Sequence, residues 1–274
     1  LKKCANFQPS ASCLYALIQS AGQLIEAHED ELYGAIHADE SSPSGTRSLA
    51  VSMDGANVLL NEAGDKKGRP RERPGREEEP ASAYRNAMVG TLTFYGDVPE
   101  DGVSPEKLSG RVVARMPEKG AVHFKARFER EVEAARAQVP AGTRLVMVCD
   151  GARGIWKYVA QTELFRDFVQ MVDYYHAVEH LSKAGEAIFG KCSPEGERWH
   201  ARWRKRLLEK PDGVASLLRN LAYCRERRRL GKAARKALAT ERGYFLRNKG
   251  LMKYARMRTE GLPIGSGPVE AACK

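Results

Sequence analysis

The chain has 274 residues with 45 Lys+Arg against 35 Asp+Glu, a net charge of +10; 42% of its residues are hydrophobic and 29% charged. That composition excludes a wholly disordered chain, and the longest unbroken apolar run, Cys13 to Ile18, is too short to span a membrane. Six cysteines without a C-x-x-C pair fit neither a zinc ribbon nor a disulfide framework, so a reducing, cytoplasmic setting is expected. The chain opens Leu-Lys-Lys, with no stretch built like a secretory signal.

Along the chain, Leu14, Leu17, Ile18, Ala21, Leu24, Ile25, Leu32 and Ile36 follow the three-and-four spacing of an amphipathic helix over 12–38. The Ser-Ser-Pro-Ser-Gly run at 41–45 ends it. Alternation at Leu49, Val51 and Met53 predicts a strand. The charged, Pro- and Gly-rich tract 62–80 reads as a flexible loop. Strands are predicted at 84–95 and 111–116 and a helix at 121–138. A buried strand is expected at 145–149, between Gly142-Thr143 and Asp150-Gly151. A helix from about Ile155 and a strand near 168–172 follow.

From His176 to Arg258 the chain is rich in Ala, Leu, Arg, Glu and Lys, which predicts helix with one break at Pro211-Asp212-Gly213. Charge concentrates here. Residues 191–258 carry 21 Lys+Arg and six Asp+Glu, a net of +15, leaving the rest of the chain at −5. Such asymmetry is the footprint of a polyanion binder, and Arg225, Arg227, Arg228, Arg229, Lys232, Arg235 and Lys236 are its candidate DNA contacts. A final helix is expected from Pro268, with Glu270 in its first turn. Three loop-joined strands suggest an antiparallel meander, and strands separated by helices suggest parallel additions to it. The fold class is therefore α/β: a mixed sheet with a basic helical insertion and an N-terminal helix. The expected divisions are 1–47, 48–175, 176–258 and 259–274.

Three acids stand where chemistry can be built. Asp54 lies in or at the end of the first strand, Asp150 ends the fourth and Glu270 starts the last helix. Hard oxygen ligands without His or Cys suit Mg²⁺ or Mn²⁺, and such a cluster can hold two ions across an in-line phosphoryl displacement. Asp-Gly is equally a turn signal, and Glu270 equally a complement to a helix N-terminus. A second pattern, His176-x-x-Glu179-His180, matches the inverted zinc-peptidase motif, or it is ordinary helix packing. Gly265-Ser266-Gly267 precedes a helix as phosphate cradles do, but no Gly-Lys-Ser/Thr follows.

Val-Ser-Met-Asp-Gly at 51–55, Val-Cys-Asp-Gly-Ala at 148–152, Asp-Tyr-Tyr-His-Ala-Val-Glu-His-Leu at 173–181 and Gly-Leu-Pro-Ile-Gly-Ser-Gly-Pro-Val-Glu-Ala-Ala-Cys-Lys at 261–274 resemble the DDE transposases of bacterial insertion sequences. The ISKra-type group, related in plan to Mutator-like elements, is the most similar. The resemblance covers about residues 48–274. It implies an RNase H-like fold with a catalytic triad of Asp54, Asp150 and Glu270. Asp54 is expected to bridge two Mg²⁺ or Mn²⁺ ions, and Asp150 and Glu270 to complete one each. Asp173 and His176 match the Asp-x-x-His signature that follows the second acid, which accounts for the H-x-x-E-H pattern without zinc. The implied partners are DNA, as element end and target, and a second copy of the chain in the active complex; no membrane is involved. The alternatives are an RNase H-like nuclease without strand transfer, a catalytically inactive DNA-binding derivative, and, remotely, the zinc peptidase. Members of the family continue past Ala-Ala-Cys-Lys, so the chain is expected to be truncated and its last helix poorly held.

Overall fold

A computed structural model describes residues 10–38, 40–59 and 84–274; the tract 62–80 lies outside them. The chain divides into two compact units, Leu1–Ser41 and Ser42–Lys274.

In the first unit the single helix expected over 12–38 is two: α1 (Ala11–Ala27) and α2 (Glu29–His37). Ser10 caps α1, its hydroxyl accepting from the Cys13 amide at 3.2 Å. His28 closes α1 and precedes Glu29, Asp30 and Glu31, three acids that favour a new helix start. Periodicity continues across that joint, so it gave no sign of the break.

The second unit is built on β1 (Ser48–Leu59), β2 (Tyr84–Tyr95), β3 (Lys107–Arg115), β4 (Arg144–Cys149) and β5 (Val169–Val172). They form one mixed sheet in the order β3-β2-β1-β4-β5. β1, β2 and β3 are antiparallel neighbours, while β4 and β5 add in parallel to β1. β3 begins four residues before the expected 111. Its early residues, Lys107, Ser109 and Gly110, are weak strand formers held by pairing with Tyr95, Phe94 and Thr93.

Strand alternation sends side chains to two cores. On one face Leu49, Val51, Met53, Met147 and Cys149 meet Phe124, Phe128 and Val132 of α3 (Val122–Gln138) and Ile155 and Val159 of α4 (Arg153–Gln161). On the other, Val146 and Val148 join a helical core. It is made by α5 (Tyr174–Phe189), α6 (Pro194–Glu209), α7 (Gly213–Arg227), α8 (Lys232–Asn248) and α9 (Tyr254–Thr259). The expected single break in this segment is corrected. Beyond Pro211–Gly213 the chain also turns at Gly190, where φ is +88°, and at Gly231, the N-cap of α8. Ser193 caps α6 and Pro194 opens it, a start signal that composition had masked. A short last helix, α10 (Gly267–Ala272), packs on β1 and β2. Among the described residues no helix is long and apolar enough to cross a membrane.

Candidate active site

The site begins with strand register. β1 and β4 pair Ser48 with Arg144 through Val51 with Met147, and β4 and β5 pair Val146 with Val169 through Cys149 with Val172. Carried a few residues further, the same two offsets set Asp54, Asp150 and Asp173 level: Asp54 within β1, Asp150 directly after β4 and Asp173 directly after β5. The Asp173 amide donates to the Cys149 carbonyl at 2.7 Å, which holds the last step of that row.

Asp54 is partly exposed, and its Oδ1 accepts from the Gly55 amide at 2.7 Å. Asp150 is also partly exposed. Its Oδ1 takes the Ala152 amide at 2.9 Å, and its carbonyl takes the Trp156 indole N–H at 2.6 Å. Burial pushes the Asp150 carboxyl above its ordinary value, opposed by the Ala152 amide and reinforced by the negative charge of Asp54. The third predicted acid arrives on α10, where the buried Val269 docks the helix and Glu270 stays partly exposed. The same helix brings Cys273 Sγ to 4.0 Å from Asp54 Oδ2. The charges of Asp54 and Glu270 add to burial in raising that thiol. Glu270 Oε1 lies 3.7 Å from His176 Nδ1, and the charge of His176 in turn lowers Asp150. Asp54 and Asp150 thus stand side by side, with Asp173, His176 and Glu270 as a second group near Asp150; Asp54, Asp150 and Glu270 do not form a ligand group of their own among the described residues.

Their roles differ. Ligand atoms of Asp173, His176 and Glu270 lie within 4.8 Å of one another. Yet Asp173 is fully buried and already satisfied. Its Oδ1 caps α5 by accepting the His176 amide at 2.9 Å; its Oδ2 accepts the Ser266 amide and, at 2.6 Å, the Ser266 hydroxyl. Three donors on one carboxylate describe a structural anchor. The ring nitrogen His176 Nδ1, by contrast, is buried without a hydrogen-bond partner. The glycine loop also resolves itself. Both Ser266 donors are spent inside the protein, and a Cβ on Gly265 would stand 2.6 Å from the Tyr175 ring. The loop is shaped for close passage over α5.

The H-x-x-E-H residues do not form a ligand group among the described residues. His180 turns to Glu241 of α8, Nδ1 to Oε2 at 2.6 Å, and stacks on Tyr244. Arg225, Arg227, Arg228, Arg229, Lys232, Arg235 and Lys236 are all exposed, and none makes an ion pair among the described residues. Arg228 lies over the Phe189 ring at 4.2 Å.

Sequence reasoning missed Ser266 as the partner of Asp173, and Tyr244 and Asn248, which pack on Gly151 beside Asp150. No local signal could have found them, since each pair is more than ninety residues apart in the chain. The chain matches no protein-family model and no curated protein.

Proposed function

We propose that this chain is the catalytic part of a DDE-type DNA transposase with an RNase H-like core, as its resemblance to the insertion-sequence enzymes implies. The observation that carries the reading is that strand register sets Asp54 and Asp150 side by side, near enough for the charge of Asp54 to raise the Asp150 carboxyl, with the end of α10 docked at Asp54. Two features support a divalent cation there. The donors are carboxylate oxygens, the set that suits Mg²⁺ or Mn²⁺. Asp150 also carries both burial and the like charge of Asp54, a strain that a cation relieves. When bound, two such ions would stabilise the attacking and leaving oxygens of an in-line displacement at phosphorus.

The chain's own residues do the rest. Asp54, Asp150 and Glu270 would hold the ions. His176 stands beside Glu270, its Nδ1 3.7 Å from the carboxylate, where it would help to orient it. The Asp173–Ser266 anchor ties the chain just before α10 to the start of α5, which sets where Glu270 enters. Exposed Arg and Lys on α7 and α8 would grip the DNA backbone through phosphates, independent of sequence. Catalysis on this reading is positioning and charge stabilisation, and a second copy of the chain would pair two element ends.

Asp54→Asn, Asp150→Asn and Glu270→Gln should each lose Mg²⁺-dependent DNA strand cleavage while keeping duplex binding. Undiminished cleavage by Asp150→Asn would sink the assignment. Joining of the freed 3′-hydroxyl to a target duplex separates a transposase from a nuclease. For the basic segment, Arg227, Arg228 and Arg229 reversed to Glu should weaken binding to all sequences alike. The slope of log affinity against log salt should fall by about 3. An unchanged slope would show that these side chains only face solvent.

A further inference from the structure

We propose that Tyr244 and Asn248 of α8 are positioning residues for Asp150, and that the basic helical segment fixes the backbone of this second acid through a Glu241–His180–Tyr244 stack. The proposal rests on the reading of Asp150 as a metal-holding acid. It begins at Gly151. A Cβ there would lie 2.4 Å from Tyr244 Cε2 and 2.8 Å from Asn248 Nδ2. The φ of Gly151 is outside the left-handed region, so its own backbone would accept a side chain. Only the approach of α8 forbids one. The residue after Asp150 therefore lies tight against the Tyr244 ring, while the Asp150 carbonyl is held from the α4 side by Trp156.

The ring is itself fixed. Tyr244 is buried and lies parallel to His180, 3.5 Å between centroids and 17° between planes. His180 is pinned by Glu241, one helical turn before Tyr244 and 92% buried. The pattern that resembled a zinc motif thus contributes His180 to a wedge between α5 and α8. The Tyr244 hydroxyl and the Asn248 amide nitrogen have no hydrogen-bond partner. Burial first, then the carboxylates of Asp150, Asp173, Glu179 and Glu241, hold that hydroxyl above its ordinary value. The flat ring, not the hydroxyl, is thus the part that acts on Gly151. An α8 carrying exposed Lys232, Arg235 and Lys236 on the same helix connects the DNA-facing surface to the acid by one rigid element.

The test reads the backbone directly. Hydrogen exchange is followed in peptides covering 149–153, with β2–β3 peptides as internal control, and Mn²⁺ affinity is titrated on the same proteins. Tyr244→Ala and His180→Ala should each speed exchange at 149–153 and weaken Mn²⁺ binding, both by about ten-fold, with the control unchanged. Tyr244→Phe keeps a flat ring and should restore both readouts to within about two-fold, whereas His180→Phe keeps the ring but loses the Glu241 pin and should not. Gly151→Ala should behave like Tyr244→Ala, because its methyl would drive Tyr244 and Asn248 away from the Asp150 backbone. Wild-type exchange in both alanine variants would overturn the proposal. So would a uniform rise that includes β2–β3, or failure of Tyr244→Phe to rescue. If the wild-type chain binds no Mn²⁺, the metal reading of Asp150 fails, and the exchange arm still decides whether Tyr244 and His180 set its backbone.

Discussion

The ends of β4 and β5 carry the same residue, one strand apart in one register row, in opposite states. Asp173, after β5, is 0% exposed and accepts three hydrogen bonds. Asp150, after β4, is partly exposed, takes one amide on its carboxylate and bears the charge of Asp54 besides burial. A buried carboxylate with every oxygen matched is a structural part, and removing it leaves its donors stranded. A carboxylate held near another without a compensating cation is poised to bind something positive. The row therefore divides into a satisfied anchor and an open carboxylate, although the sequence writes both as Asp at a strand end.

The largest test of that division is on the anchor. Asp173→Ala removes the cap of α5 and leaves the Ser266 amide and hydroxyl buried without an acceptor. The expected loss is about 4 kcal/mol, read as a fall in Tm of about 8–16 °C for a unit of this size. A fall of only a degree or two would mean that Asp173 is not the anchor. Ser266→Ala takes away one of the three donors and leaves the amide in place. A loss of about 1.5 kcal/mol is expected, as for a buried hydrogen bond to a charged group. Urea unfolding at constant m-value would measure it; no change would show that the hydroxyl contributes nothing to the anchor.

What could be read in advance follows the same line. Alternation at Leu49, Val51 and Met53, and the apolar run to Cys149, reported strands whose cores are strictly two-sided. The Asp173-x-x-His176 spacing is a local capping relation, since an N-cap side chain accepts from the amide three residues on. It was therefore visible within four residues. The partners that decide what each Asp does were not visible. Ser266 reaches Asp173 across 93 residues and Glu241 reaches His180 across 61. Both contacts exist only because the helical segment returns to the sheet, which no window of sequence reports. The turn at His28 escaped for a different reason: it has no side-chain cap and the apolar period runs on through it.

The smallest expected effect is the most discriminating, because its sign differs from that of the anchor. The Asp150 carboxyl lies above the ordinary aspartate value of 3.8. Folding therefore favours its neutral form. That contribution is fully present below pH 3.8 and is lost as pH rises through the raised value. Asparagine stays neutral throughout and loses nothing. Metal-free Asp150→Asn should thus match the wild type near pH 3.5 and exceed it at pH 7. The gain should be small, since Asp150 is partly exposed and solvent screens its charge, and should be read as a higher Tm for the variant at pH 7 only. Glu118, Asp212 and Glu260, whose carboxyls are lowered by their hydrogen-bond and arginine partners, titrate in both proteins and cancel in the difference. Saturating Mg²⁺ should then invert the order at pH 7, since a ligand that binds only the folded wild type stabilises it by mass action. Melts of the two proteins at both pH values, with and without MgCl₂, measure all of this. A metal-free Asp150→Asn less stable than wild type at pH 7 would place Asp150 with Asp173 as a structural acid and remove the contrast between the two strand ends.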